Sequence, residues 1–122
     1  MRITILFLIA LLLSSCYSEN EEELFPEVPV DPEVKVSFVA EIKPLFDGNC
    51  NNSCHRPGFQ GTGTLVNYEE ISGIANNGKL VTRAITLTAG ESNHMPPNGR
   101  NDLSQNQETI IQAWVDQGAL DN

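Results

Sequence analysis

Apolar residues in the last part of this chain recur at intervals of three and four, the spacing of one face of an α-helix. The stripe they form consists of Ile110, Ile111, Trp114 and Val115. Ser104 is a good N-cap, Gln107 completes a capping box three residues later, and Gly118 supplies the stop. The pattern therefore predicts a helix that ends near Gly118 and buries Trp114 in a core.

A second apolar set at helical spacing follows Ser37, a plausible cap. Its members are Phe38, Val39, Ile42, Leu45 and Phe46. Pro44 lies among them, so the pattern predicts either a start near Ile42 or a kink at the proline. Gly48-Asn49 is expected to end this helix just before Cys50.

Two shorter segments lie between these helices. Asn67 is a cap for a helix over residues 68–75, which Asn76-Asn77-Gly78 should end. Residues 80–85 are apolar enough for either a short helix or a buried extended segment. Nothing alternates convincingly as a sheet and no internal repeat is visible, so the chain predicts an all-α domain.

The N-terminus has a different pattern. After a short positive start, the apolar run over residues 5–13 is too short to span a bilayer, and Ser14-Ser15 follow it, as in a secretory signal. Leu13-Ser14-Ser15-Cys16 also resembles the lipobox of bacterial lipoproteins. We predict a signal peptide over 1–15 and a lipidated Cys16, whose several acyl chains would give a stable anchor. An ordinary secreted protein with a stray cysteine is the alternative.

Residues 16–33 combine an acidic block with three prolines at short intervals. Such a stretch forms neither a packed helix nor a central strand, so it predicts an extended tether before one small domain over 34–122. An acidic block after a lipidated cysteine resembles the surface-export signals of some Gram-negative lipoproteins. We expect an exported, lipid-anchored protein on the periplasmic or cell-surface face of the outer membrane. A merely soluble linker is the alternative.

The formal net charge of the chain is −9. That excess of acid argues against nucleic acid and anionic lipid surfaces as partners, so membrane contact is expected through the lipid anchor only. It favours a basic partner or a metal or mineral acceptor, although an acidic surface also serves solubility.

The chemistry of the chain concentrates in Cys50-Asn51-Asn52-Ser53-Cys54-His55. Two thiols followed directly by a histidine are typical of covalent haem attachment, with one residue more between the thiols than in Cys-x-x-Cys-His. Cys50 and Cys54 would form thioethers and His55 would be the proximal iron ligand. A small bulge can absorb the extra residue. A disulfide between the thiols is the alternative for an exported protein, but it would leave His55 unexplained.

Met95, followed by two prolines on a polar loop, is in an unusual place for a core methionine. Its thioether sulfur is a suitable distal haem ligand that raises the reduction potential, and the prolines limit the entropy lost when it binds. His94 could ligate in its place and would lower the potential. An exposed loop methionine without a role is the remaining alternative.

With these pieces in this order, the chain resembles the class I c-type cytochromes, in particular the small single-haem domains of exported bacterial proteins. The matching segments are Ile42-Lys43-Pro44-Leu45-Phe46, the Cys50 to His55 site, Tyr68-Glu69-Glu70-Ile71, Met95-Pro96-Pro97-Asn98-Gly99 and Ile110-Ile111-Gln112-Ala113-Trp114-Val115-Asp116-Gln117-Gly118-Ala119. The resemblance implies a small cytochrome c fold wrapped around one covalent haem c. His55 and Met95 would lie on opposite sides of the iron, and the first and last helices would pack across each other.

Two protein ligands would leave no open position on the iron, so we expect an electron carrier with redox protein partners and no small-molecule substrate, not an enzyme. Two alternatives come from other classes. In one, Cys50, Cys54, His55 and His94 bind a structural zinc in a lipoprotein interaction module. In the other, Met95 leaves the iron and opens a site, as in a haem sensor or a peroxidase-like protein.

Overall fold

A computed structural model describes residues 31, 33–59, 63–97 and 100–122. This part of the chain consists of four helices and their connecting loops and has no strand, so it is all-α as the pattern predicts. The predicted signal peptide, Cys16, most of the tether and Asn98-Gly99 lie outside the described residues. Among the described helices, none has the length and apolar character needed to cross a membrane.

The first helix, α1, covers residues 38–51 and changes pitch twice. Wide π-type turns over Phe38–Ile42 and Asp47–Asn51 flank the α-helical stretch Lys43–Phe46. Ser37 caps it as predicted, since its hydroxyl accepts the N–H of Ala40 at 3.2 Å. Pro44 lies in the first turn of the α-helical stretch, so its missing N–H falls where the wide turn ends.

The prediction that Gly48-Asn49 ends α1 is wrong. Both residues lie inside the wide turn, and the Asn49 side chain donates to the carbonyl of Leu45 at 2.8 Å. The Asn51 side chain likewise donates to Asp47 at 3.0 Å. Asparagine often stops a helix. In α1, Asn49 and Asn51 extend the helix instead, because their side-chain amides bond back to the preceding turn. The helix therefore continues through Cys50.

Two helices follow the first loop. The second, α2, is Tyr68–Asn76, and the Asn67 side chain caps it by accepting the N–H of Glu70 at 2.9 Å. It ends at Asn76, and Gly78 follows with a φ of +76°, the left-handed conformation that glycine adopts readily. The third, α3, covers residues 79–86 as the α-helical turn Lys79–Val81 and the π-type turn Thr82–Thr86. The ambiguous apolar segment is thus helical.

The last helix, α4, is Gln105–Asp116 and has both predicted ends. Ser104 and Gln107 form the reciprocal capping box, with hydrogen bonds of 2.9 and 3.3 Å. At the other end Gly118 has a φ of +93°. The N–H groups of Gly118 and Ala119 donate to carbonyls of the last turn at 2.9 Å each, which is a Schellman motif.

Helices α1 and α4 pack together through aromatic side chains. The Phe38 ring lies 5.8 Å from the Trp114 ring and 5.2 Å from that of Tyr68, centroid to centroid. Trp114 is fully buried, and its indole N–H donates to the carbonyl of Leu120 at 3.0 Å. The buried apolar residues form one cluster that extends from this contact to a central cavity.

Candidate cofactor site

A cavity of about 650 Å³ lies between the end of α1, α3 and the loop that leads into α4. Most of its apolar lining belongs to the core cluster: Phe46, Leu65, Leu80, Ala84, Leu103 and Ile111. This volume is in the range of cavities that hold small molecules and cofactors. The fold therefore surrounds a space that suits one large, mostly apolar group.

Cys50, Cys54 and His55 all line this cavity. The N–H of His55 donates to the carbonyl of Cys50 at 3.0 Å, a hydrogen bond that spans five residues, as in a π-type turn. The turn closed by this bond contains the extra residue between the thiols, and both cysteines line the same space. Both are half-buried, and their sulfur atoms are not bonded to each other.

The environment of Cys50 keeps its thiol protonated. Burial, with a smaller contribution from the neighbouring Cys54, raises the pKa of Cys50 to about 12. A protonated thiol is a poor nucleophile and a poor metal ligand, because the thiolate is the reactive form.

His55 is held in place by hydrogen bonds to Gly63 and Leu65. Its Nδ1 lies 3.0 Å from the carbonyl oxygen of Gly63, and a carbonyl only accepts, so Nδ1 carries the proton. In the neutral ring Nε2 then keeps its lone pair, the form of histidine that binds metals. Gly63 has a φ of +92°, which favours glycine there. The N–H of Leu65 also donates to the His55 carbonyl at 2.9 Å.

Met95 lines the cavity from the loop before α4, together with Pro96 and Pro97. Its backbone N–H donates to the carbonyl of Arg83 at 2.9 Å, which attaches the start of the Met-Pro-Pro segment to α3. The side chain is half-buried. The structure thus brings Met95 to the same space as Cys50, Cys54 and His55.

His94 is buried but is not among the described residues that line the cavity. Its Nε2 lies 4.0 Å from a carboxylate oxygen of Asp102, and its Nδ1 is buried with no hydrogen-bond partner among the described residues. The two neighbouring candidates for the distal position therefore differ in placement. Over the ranges that the structure describes, no three His, Cys, Asp or Glu side chains are grouped to hold a metal ion.

Three cationic residues of the cavity were not predicted from the sequence. Lys79, Arg83 and Arg100 line it, and the described lining contains no Asp or Glu. Arg100 also donates to the hydroxyl of Ser53 at 2.9 Å, which joins the loop before α4 to the segment between the thiols. These residues are scattered along the chain and form no motif. The one available signal is the spacing of Lys79 and Arg83, one helical turn apart.

Comparisons of the chain with protein-family models, with curated proteins and with solved structures found no match. The interpretation of the site therefore rests on its residues. Two thiols, a histidine whose Nδ1 is paired with a carbonyl, and a methionine line one largely apolar cavity. This set of donors fits a covalently attached haem, for which it would supply two attachment points and two iron ligands.

Proposed function

We propose that this domain is a mono-haem c-type cytochrome with a small cytochrome c fold, acting as an electron carrier. Cys50 and Cys54 would hold haem c by thioether bonds, with His55 as the proximal and Met95 as the distal iron ligand. When bound, haem supplies an iron that changes between the ferrous and ferric states. The observation that carries this proposal is that all four side chains line one largely apolar cavity.

In this proposal His55 would present its unprotonated Nε2 atom to the iron in a fixed direction. Its Nδ1–H···O hydrogen bond to Gly63 fixes both the tautomer and the direction of the ring. Such a bond also increases the basicity of the ligating nitrogen, which favours the oxidised metal. The carbonyl of Gly63 would therefore lower the reduction potential relative to an unpaired imidazole.

The part of Met95 is to supply a soft sulfur and to close the second axial position. Sulfur ligation favours the reduced ion and raises the reduction potential, opposing the effect of His55. The bond from the Met95 N–H to Arg83 keeps the loop in place beside α3. With a protein ligand on each side, no position remains for oxygen or peroxide, so the expected function is electron transfer without a substrate.

The cationic lining bears on the zinc alternative. Lys79, Arg83 and Arg100 put positive charge on the lining of the cavity, which disfavours a bare divalent cation there. A haem with two carboxylates carries charge of the opposite sign. The cavity chemistry therefore favours haem over a zinc held by Cys50, Cys54 and the histidines.

The sequence adds a location to this proposal. A lipidated Cys16 and an acidic, proline-rich tether over 16–33 would hold the domain at a bacterial membrane, exported to the periplasmic or cell-surface side. Its partners would then be redox proteins within reach of the tether.

The full chain should be produced in a bacterial host with a haem c maturation system and purified as the holoprotein. A c-type cytochrome keeps its haem through acid-acetone extraction, and its alkaline pyridine spectrum shows two saturated vinyl groups. Haem lost to the organic phase, or a colourless protein that contains zinc, would overturn the proposal. If the reduced protein binds carbon monoxide readily, the sixth position is open and the sensor or peroxidase-like reading replaces the carrier.

A further inference from the structure

The charge of the cavity is opposite to that of the chain. The whole sequence has 7 Lys and Arg against 16 Asp and Glu. Three of those seven cations, Lys79, Arg83 and Arg100, nevertheless line one cavity whose described lining has no acidic residue. Lys79 and Arg100 are exposed and Arg83 is half-buried, so the positive charge lies where the cavity meets water and favours an anionic group there. This arrangement indicates a ligand that is apolar over most of its surface and anionic at one end.

The three cations come from two different parts of the fold. Arg100 bonds to Ser53, between the two cysteines, so it lies at the thiol end of the cavity. Lys79 and Arg83 belong to α3 and are one helical turn apart, so they present two cationic groups from a single helix face. In haem the two vinyl groups and the two propionate groups occupy opposite edges of the ring. Vinyls bonded to Cys50 and Cys54 therefore direct the propionates away from Arg100.

From this arrangement, and on the basis of the proposed function, we propose that Lys79 and Arg83 form the binding site for the two propionate carboxylates of the haem. Arg83 can donate a forked pair of hydrogen bonds to a carboxylate, and Lys79 supplies a mobile point charge. These contacts would fix the orientation of the haem, with its propionate edge towards α3. Because the carbonyl of Arg83 also accepts the N–H of Met95, one residue would contact the carboxylate edge through its side chain and the distal loop through its backbone.

The test uses the holoprotein produced in the maturation host, with resonance Raman spectroscopy of the propionate bending modes. These modes shift when a carboxylate loses a hydrogen-bond donor. Arg83→Gln and Lys79→Gln should each shift them, and the double variant should shift them further. Arg100→Gln is the matched control, because it removes a cation from the same cavity at the thiol end. It should leave the modes unchanged.

Arg83→Lys keeps the charge but not the fork, so it should give a smaller shift than Arg83→Gln. If Arg83→Gln does not accumulate as holoprotein, Lys79→Gln and Arg83→Lys still carry the test. Unchanged modes in these variants, or a shift confined to Arg100→Gln, would overturn the inference. A wild-type protein without covalent haem would instead overturn the proposed function, so the two failures are distinct.

Discussion

Met95 and Arg83 are joined by a backbone hydrogen bond of 2.9 Å, so the position of the methionine is set by α3. His94, its neighbour in sequence, is placed beside Asp102 instead. The backbone bond thus separates two adjacent candidates for the distal position, which gives a direct comparison of two variants.

Met95→Ala should abolish the weak far-red band of sulfur ligation in the ferric protein. It should also lower the midpoint potential and allow carbon monoxide to bind the reduced protein, because the soft sulfur is lost. His94→Ala should change none of these properties. Visible spectra and a redox titration of both variants check this. A spectral change in His94→Ala alone would mean bis-histidine ligation and a low-potential carrier.

The contribution of each cysteine to haem attachment can also be tested with single variants. Cys50→Ser and Cys54→Ser should each leave one thioether, so the alkaline pyridine spectrum should show one unsaturated vinyl group. The double variant should lose its haem to acid-acetone. A Cys50→Ser spectrum identical to that of the wild type would show that the wide turn leaves the Cys50 thiol unattached.

Gly63→Ala tests the support of His55. With φ at +92°, a side chain there should cost about 1 kcal/mol, measured by denaturant unfolding, and should disturb the bond to Nδ1. Weakening that bond should raise the midpoint potential. Gly73→Ala is the matched control, since Gly73 lies within α2 and an added Cβ meets no atom within 4 Å. It should gain about 0.5–1 kcal/mol in unfolding free energy. Equal effects of both changes would contradict the assigned role of Gly63.

Glu70 makes the stability of the same region depend on pH. Hydrogen bonds from the Thr64 hydroxyl and, at 2.8 Å, from the Val66 N–H hold the pKa of Glu70 below its usual range. A lowered folded-state pKa contributes stability above the ordinary glutamate value of about 4.3, and this contribution is lost as pH falls through the folded value. Unfolding measured from pH 7 down to pH 3 should therefore depend less on pH in Glu70→Gln. Glu69→Gln, which removes the same charge from the adjacent exposed residue, should keep the wild-type profile.

Cys16→Ser should release the protein from the membrane fraction without changing its haem spectrum, because the tether separates the lipid from the domain. Fractionation of cells and mass determination of the mature N-terminus check this. A wild-type protein that is already soluble and begins beyond Cys16 would contradict lipid attachment.

Local signals predicted the parts of the fold whose causes are local. The capping box of Ser104 and Gln107 and the stop at Gly118 depend on side chains within a few residues, so α4 could be placed from the sequence. The end of α1 could not, because Asn49 is compatible with both a break and a helix. Its hydrogen bond to Leu45 exists only once the wide turn has formed.

The residues of the candidate site also fall into those that the sequence indicates and those that only the fold reveals. Cys50, Cys54 and His55 are neighbours in sequence, and Met95 stands out by its two following prolines, so all four are candidates from the sequence alone, and all four line the cavity. Lys79, Arg83 and Arg100 gain their significance from the absence of acidic residues around them in the described cavity lining. The absence of acidic residues around these cations appears only in the folded structure. In the sequence it is hidden, because Asp and Glu outnumber Lys and Arg by 16 to 7.

The five-residue hydrogen bond between Cys50 and His55 has a consequence for how such sites are compared between proteins. The extra residue between the thiols lies within one wide turn at the end of α1, closed by this i→i+5 hydrogen bond. The number of residues between the thiols and the distance they must bridge are therefore independent quantities. A search that fixes the number of residues between the thiols would therefore miss this segment, although both cysteines line one cavity.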